Sequence, residues 1–240
     1  MSSPLWNKKL ICPFCGKEFE TSRIRQGAVS VREKWTDFGS VFEGLCPYFY
    51  AVTACPHCLV AARNEEFEKI NAGYEPKLME FSKRARAQQT PHPELFALGE
   101  IPAEVAVKRH ELAIACHKAR AHAEPGELAG LWLHIVWIRR LAGDAEGERK
   151  AMEQAVAAYQ IFFEKGNKLP DKLGEPGVVY LIGELFRRLG RLKEAREHFA
   201  RALSNRDLAN YPNVEALVRD QMIVVKEQME AQKGIPSAEN

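Results

Sequence analysis

No run of about eighteen uninterrupted apolar residues occurs anywhere in this chain, so the pattern of a membrane-spanning helix is missing. The opening residues, Met-Ser-Ser-Pro-Leu-Trp-Asn-Lys-Lys, also lack the apolar stretch of a secretory signal. The expected location is therefore the cytoplasm, with no membrane partner. An excess of one charge is absent too: 34 Lys and Arg stand against 32 Asp and Glu, a net charge of +2. That balance excludes a global basic field drawing in nucleic acid or anionic lipid, and confines such binding to local patches. Glycine-rich phosphate loops and a Gly-x-Ser-x-Gly elbow are likewise missing. No catalytic constellation is visible, and the chain reads as a non-enzyme.

What the sequence does have is a folded-protein composition, 46% apolar over 240 residues, enough for a real core. It also has two Cys-Pro-x-Cys pairs, Cys12-Pro13-Phe14-Cys15 and Cys55-Pro56-His57-Cys58. Four thiolates in two close pairs suit one tetrahedral zinc ion, and a reducing compartment favours metal ligation over disulfides. The proline restricts the backbone after the first ligand, and the tight turn directs amide groups toward sulfur. A thioredoxin-like use would need a surrounding βαβ pattern, which is absent. Four sulfur ligands also close the coordination sphere, so the expected metal is structural, one zinc per chain held by Cys12, Cys15, Cys55 and Cys58. Gly16 after the first pair permits a left-handed backbone, whereas Leu59 holds the equivalent place in the second and makes that turn less standard.

Other candidate ligands read differently. Cys46 lies nine residues before Cys55 and could replace a ligand, yet beside Pro47 it reads as a small buried residue. His57 sits between two ligands and points outward. Cys116 keeps company with His110, His117 and His122, but His110 and His117 are about two helical turns apart and His110-Glu111 lacks the second histidine of a zinc-protease motif.

Composition shifts after the first sixty or so residues. Short strands are expected at Thr21 to Ile24 and Ala28 to Trp35, around Gln26-Gly27, with another extended piece at Tyr48 to Thr53. Helical character begins at Ala61 through Ile70 and stops at Gly73. Residues 88 to 102, with Pro91, Pro93, Gly99 and Pro102, read as a hinge and surface loop. Helices are then expected at about Ala103 to His122, Glu127 to Leu141, Ala145 to Lys165, Val178 to Leu189, Leu192 to Leu203 and Asn213 to Gln232. Breaks fall at Pro125-Gly126, Gly143, Gly166 to Pro176, Gly190 and Tyr211-Pro212. Met152, Ala155, Val156, Tyr159, Phe162 and Phe163 follow the spacing of a one-sided helix, while the Leu131 to Leu141 segment is apolar all round and belongs inside a stack.

The segment from Pro176 to Asp207 fits a tetratricopeptide unit of thirty-four residues: Gly183, Phe186, Gly190, Ala195, Phe199 and Ala202 stand at its positions 8, 11, 15, 20, 24 and 27. A weaker copy begins at Ala129, with Trp132, Gly143 and Ala155. The last helix, with Val214, Leu217, Val218, Met222, Val225 and Met229 on one face, ends the stack. Glu184, in the apolar run Tyr180-Leu181-Ile182-Gly183-Glu184-Leu185-Phe186, is the one carboxylate that invites attention. Arg187 and Arg188 beside it, and Arg139 and Arg140 in the other repeat, point to a buried ion pair, and a ligand-binding carboxylate is the sharper alternative.

Cys12-Pro13-Phe14-Cys15-Gly16-Lys17, Pro47-Tyr48-Phe49-Tyr50 leading into Cys55-Pro56-His57-Cys58, and the runs Trp137-Ile138-Arg139-Arg140 and Tyr180 to Leu185 together resemble a bacterial family of uncharacterised proteins, domain of unknown function 2225. The sequence departs from the family pattern at Leu59 and Val60, where glycine and tyrosine are favoured, and at Cys46, where a polar residue is. The resemblance implies a zinc-knuckle head and a tetratricopeptide-like tail, and no substrate. The expected fold is mainly α, a small β zinc-ribbon-like module at 1–62, helix and linker at 63–102, and a tetratricopeptide-like helical domain at 103–240. The expected function is a zinc-binding adaptor or scaffold that takes a protein or peptide partner on its helical surface. The alternative is a nucleic-acid-binding regulator acting through the zinc module, whose residues 1 to 63 carry a charge of +3, with Lys8, Lys9, Arg23, Arg25, Arg32 and Lys34 as a basic edge beside Trp35.

Overall fold

Alternating side chains in the first sixty residues produce three separate two-stranded antiparallel ribbons. In the first, β1 (Leu5–Ile11) pairs with β2 (Glu18–Ile24). Leu10 lies opposite Phe19, both are buried, and the Phe19 ring meets Phe67 edge-on at 5.8 Å. The second joins β3 (Ser30–Lys34) to β4 (Ser40–Glu43), with a bulge between Val31 and Glu33. The third joins β5 (Val52–Ala54) to β6 (Ala61–Arg63). The computed structural model describes residues 3–88, 93–121, 125–164 and 173–234. It is mainly helical, with these strand pairs near the N-terminus.

The expected strands at Thr21 to Ile24 and Ala28 to Trp35 fall within or over β2 and β3. β2 and β3 do not pair around Gln26-Gly27; each finds a strand that alternation had left unmarked, β1 and β4. Period-two patterning identifies a strand but not its neighbour. Tyr48 to Thr53 splits: Pro47–Tyr50 is a 3₁₀ turn, opened by a proline that has no amide hydrogen to lose there, and only its end continues into β5. Ala61–Arg63 is strand rather than helix, and the helix that follows, α1, is confined to Asn64–Phe67. A helix the sequence left unmarked, α2 (Pro76–Gln88), is so polar that Leu78 and Ser82 are its only buried residues among those described.

The chain divides into two compact units. The first comprises Met1–Lys34 and Ser40–Ala151. In it α3 (Ala103–Ala119) packs along α4 (Pro125–Leu141) and against β5 and β6. Pro125 begins α4 rather than breaking the chain before it, because the first helical turn has no intrahelical partner for the missing N–H. Leu131, Leu133, Ile135, Val136, Trp137 and Ile138 are all buried, as an all-round apolar helix requires. Of the expected surface loop at 88 to 102, Leu95 and Ile101 are buried, and Arg109 donates to the carbonyls of Leu95 at 2.7 Å and Ala97 at 2.8 Å. Pro91 and His122 lie outside the described residues.

The second unit comprises Trp35–Gly39 and Met152–Asn240. It holds the C-terminal part of α5 (Ala145–Glu164), followed by α6 (Gly174–Arg188), α7 (Leu192–Leu203) and α8 (Pro212–Gly234). α6 starts earlier than expected and takes Pro176 into its first turn, where proline is tolerated; the expected break from Gly166 to Lys172 lies outside the described residues. α6 and α7 form the tightest helix pair, and α7 packs on α8. A Cβ at Gly183 would stand 2.8 Å from the Phe199 ring, so the missing side chain is what lets the two helices close up. Phe199 in turn stacks on Tyr180 at 5.6 Å. Phe38, at a positive φ of 66°, sets its ring edge-on to Tyr180 at 5.5 Å, and the Tyr180 hydroxyl donates to the Thr36 carbonyl at 2.7 Å. No helix among the described residues is long and apolar enough to cross a membrane.

His110 is fully buried on α3. Its Nδ1 donates to the Ala106 carbonyl at 2.8 Å, and its Nε2 faces His134 Nδ1 at 3.3 Å. Burial, with Arg63 and Arg109 nearby, pulls its pKa down to about 4. Between there and the ordinary value near 6.5 the unfolded chain binds the extra proton, so this group's contribution is complete above pH 6.5 and is lost as pH falls toward 4. The loss amounts to about 3 kcal/mol. Urea unfolding from pH 7 down to pH 4 is therefore expected to show a steeper fall for the wild type than for His110→Gln, by about that amount.

Candidate metal centre

Each cysteine pair occupies the turn of a hairpin: Cys12 and Cys15 between β1 and β2, Cys55 and Cys58 between β5 and β6. The two turns have the same backbone. In the first, Cys12 N–H donates to the Lys17 carbonyl at 2.9 Å and Gly16 N–H to the Cys12 carbonyl at 2.8 Å. In the second, Cys55 N–H donates to Val60 and Leu59 N–H to Cys55, both at 2.9 Å. Leu59, expected to make the second turn less standard, adopts φ 61° beside the 72° of Gly16. A left-handed backbone costs a leucine roughly 1–2 kcal/mol. Its side chain is 4% exposed, and burying a leucine returns about 2 kcal/mol, which offsets the strain.

These turns bring all four sulfurs within 4.8 Å of one another. Cys12 Sγ lies 3.7 Å from Cys58 Sγ, and Cys15 Sγ lies 3.8 Å from Cys55 Sγ, so each short contact joins one turn to the other. None of the six cysteines is in a disulfide. Three of the four are buried and Cys15 is half-buried. Thiols this close cannot all ionise unaided: hydrogen bonds from Cys55 and Cys58 hold the Cys12 thiol well below its ordinary range, while the contact with Cys12 pushes Cys55 and Cys58 up. A cation among the sulfurs removes that conflict by favouring all four thiolates together. The four side chains could thus hold one metal ion, and they form the one such cluster of His, Cys, Asp or Glu among the described residues.

Neighbouring groups hold the turns rather than enter the site. His57 is exposed, as expected, and its Nε2 donates to the Glu18 carbonyl of β2 at 3.0 Å, tying the second turn to the first hairpin. Ser82 on α2 donates to the Cys58 carbonyl at 2.6 Å. Nothing in the sequence marks that serine, because its role depends on a helix twenty-four residues downstream folding back. Cys116 is buried on α3, accepting from Ala61 N–H at 3.3 Å and facing the Leu59 carbonyl at 3.6 Å; burial pushes its thiol up to about 12. Cys46 stands apart from the cluster, half-buried, its thiol raised to about 11 by burial.

The remaining candidates resolve into local contacts. Glu184 is fully buried in the second unit. Arg187 grips both its oxygens at 2.7 and 2.8 Å, Arg188 bonds Oε1 at 2.9 Å, and the Thr36 hydroxyl donates to Oε1 as well. Asp37, also fully buried, lies 3.7 Å from Arg188. Two carboxylates and two guanidiniums thus balance in place, the arrangement in which buried charge is tolerable. Arg139 and Arg140 are engaged elsewhere, with Glu104 and Asp144 and with Glu148 respectively. Of the six proposed edge cations, Lys8 is paired with Glu68, Arg23 donates to Thr53, and Arg25 donates to the Ser3 carbonyl. Lys9, Arg32 and Lys34 are exposed.

Replacing Ser82 with alanine leaves the buried Cys58 carbonyl without its donor and is expected to cost about 1–3 kcal/mol. His57→Ala, at an exposed contact, is expected to cost less than about 1 kcal/mol. Urea titrations of the two variants beside the wild type check the order.

No curated protein and no solved structure matches the chain. Its residues 5–225 match the family model DUF2225, described as an uncharacterised protein conserved in bacteria. With the match spanning nearly the whole sequence, and both cysteine turns inside it, the chain belongs to the DUF2225 family.

Proposed function

We propose that this protein is a non-enzymatic adaptor of the cytoplasm, in which a structural zinc ion fixes the N-terminal hairpins and the helical region presents a surface to a protein or peptide partner. The four-sulfur cluster carries the first half. With Zn–S bonds of about 2.3 Å, the sulfurs of a tetrahedron lie about 3.8 Å apart. The two cross-turn distances of 3.7 and 3.8 Å fit that spacing. An all-sulfur, largely buried donor set favours zinc among common divalent ions, and four protein ligands leave no place for water or substrate. The ion would supply charge neutralisation and a cross-link; the chain supplies the geometry through its paired turns.

The second half rests on α6 and α7. Gly183 against Phe199, the turn at Gly190 with φ 76°, and the fully buried Ala195 and Ala202 are what a tetratricopeptide-like pair needs for close approach. α8 then packs on α7, with Val214, Val218 and Val225 buried. Stacked helix pairs of this kind offer extended surfaces suited to peptides and partner helices.

Elemental analysis of the purified full chain is expected to return one zinc per molecule, falling well below that for Cys58→Ser. Zinc absent from a folded protein would overturn the structural part. For the partner surface, cross-linking in lysate followed by mass spectrometry is expected to join a recurrent partner to Lys193 on α7 or Lys226 on α8. No partner cross-linked under any growth condition would remove the adaptor assignment.

A further inference from the structure

A cleft of about 300 Å³ opens within the second unit between α5, α6 and α7. Phe163, Val179 and Ile182 give it apolar walls, and Gln160, His198 and Arg201 bring in polar ends. Among the described residues no carboxylate lines it. The Arg201 guanidinium lies over the Phe163 ring, 4.9 Å from its centroid. Its ion-pair partner is Glu175 at 3.6 Å; both side chains are largely exposed, at 58% and 39%, so the pairing is loose and readily exchanged. His198 donates from Nδ1 to the Glu194 carbonyl at 2.9 Å, which fixes the ring against Phe186. With Nδ1 so engaged, Nε2 is the imidazole atom left to meet a ligand.

An apolar pocket edged by a guanidinium, an imidazole and an amide, whose one acidic neighbour among the described residues is the exposed and loosely paired Glu175, complements an apolar group next to a negative charge. We propose that this cleft is the point at which the partner docks, taking a peptide segment in which an aliphatic side chain stands beside a carboxylate. The aliphatic group enters between Val179 and Ile182, and the carboxylate displaces Glu175 from Arg201. This assignment rests on the adaptor function proposed above and names the chemistry of its partner.

The test uses the full chain and a panel of blocked octapeptides carrying a leucine–glutamate pair in a serine–glycine background, with glutamine or lysine replacing the glutamate in matched controls. Saturable binding of the glutamate peptides is expected, with methyl NMR shifts at Val179 and Ile182, and affinity at least tenfold lower for the glutamine controls. Arg201→Glu is expected to abolish that preference, while Arg219→Glu, a matched charge reversal on exposed α8, retains it. Equal binding of glutamate and glutamine peptides, or equal weakening by the two reversals, would overturn the proposal. Peptides that bind with shifts confined to α8, or lysate cross-links to Lys193 or Lys226 that persist undiminished in Arg201→Glu, reject this cleft and leave the adaptor function standing; loss of cross-links in the wild type rejects both.

Discussion

Four sulfur atoms held within 4.8 Å of one another are the constraint around which the first unit is organised. Thiols at that spacing cannot share their protons without a penalty, since ionising one raises the cost of ionising its neighbours. The hairpins β1–β2 and β5–β6 meet at their turns, where the sulfurs are, and the groups around them act on backbone. His57 ties one turn to the other hairpin, Ser82 ties the second turn to α2, and Cys116 accepts from the Ala61 amide just after that turn. A single cross-link at that point would restrain a loop of thirty-nine intervening residues, and closing a long loop removes much entropy from the unfolded chain.

The second unit follows a different physical rule. Its close helix pair depends on the absence of a side chain at Gly183 and on aromatic rings that fill the remaining gap. Among its described residues the buried carboxylates are Glu184 and Asp37, balanced by Arg187 and Arg188. Both Glu184 oxygens are engaged by donors of this chain, so the carboxylate serves internal charge balance. The open chemistry lies instead in the cleft of α5, α6 and α7, where the exposed Arg201 guanidinium stands beside apolar walls.

Much of this was legible in the chain. The two Cys-Pro-x-Cys pairs read as a common cluster, because a tight turn carries the same ligand geometry wherever it occurs. α7 falls at its expected bounds, Leu192–Leu203, since strong one-sided periodicity has a single helical solution. The left-handed turn at Leu59 was not legible: leucine disfavours it, and only burial of the side chain by the surrounding fold makes it tenable. α2 escaped notice because among its described residues it buries only Leu78 and Ser82, too few positions to mark a helical period, and Ala61–Arg63 read as helix because a short buried run carries no period.

The sequence by itself determined the chemistry of the donor set, the helical character of most of the chain and the small residues at which helices close, since each is a property of residue type and spacing. Only the tertiary structure decided which strands pair, which thiol of one turn stands against which of the other, and which arginines are spent on internal carboxylates. Those outcomes turn on contacts between residues far apart in the chain, such as Cys12 with Cys58 and Thr36 with Glu184. Local propensity has no hold on such pairs; they are selected by burial and charge balance, which exist only once the chain has closed on itself.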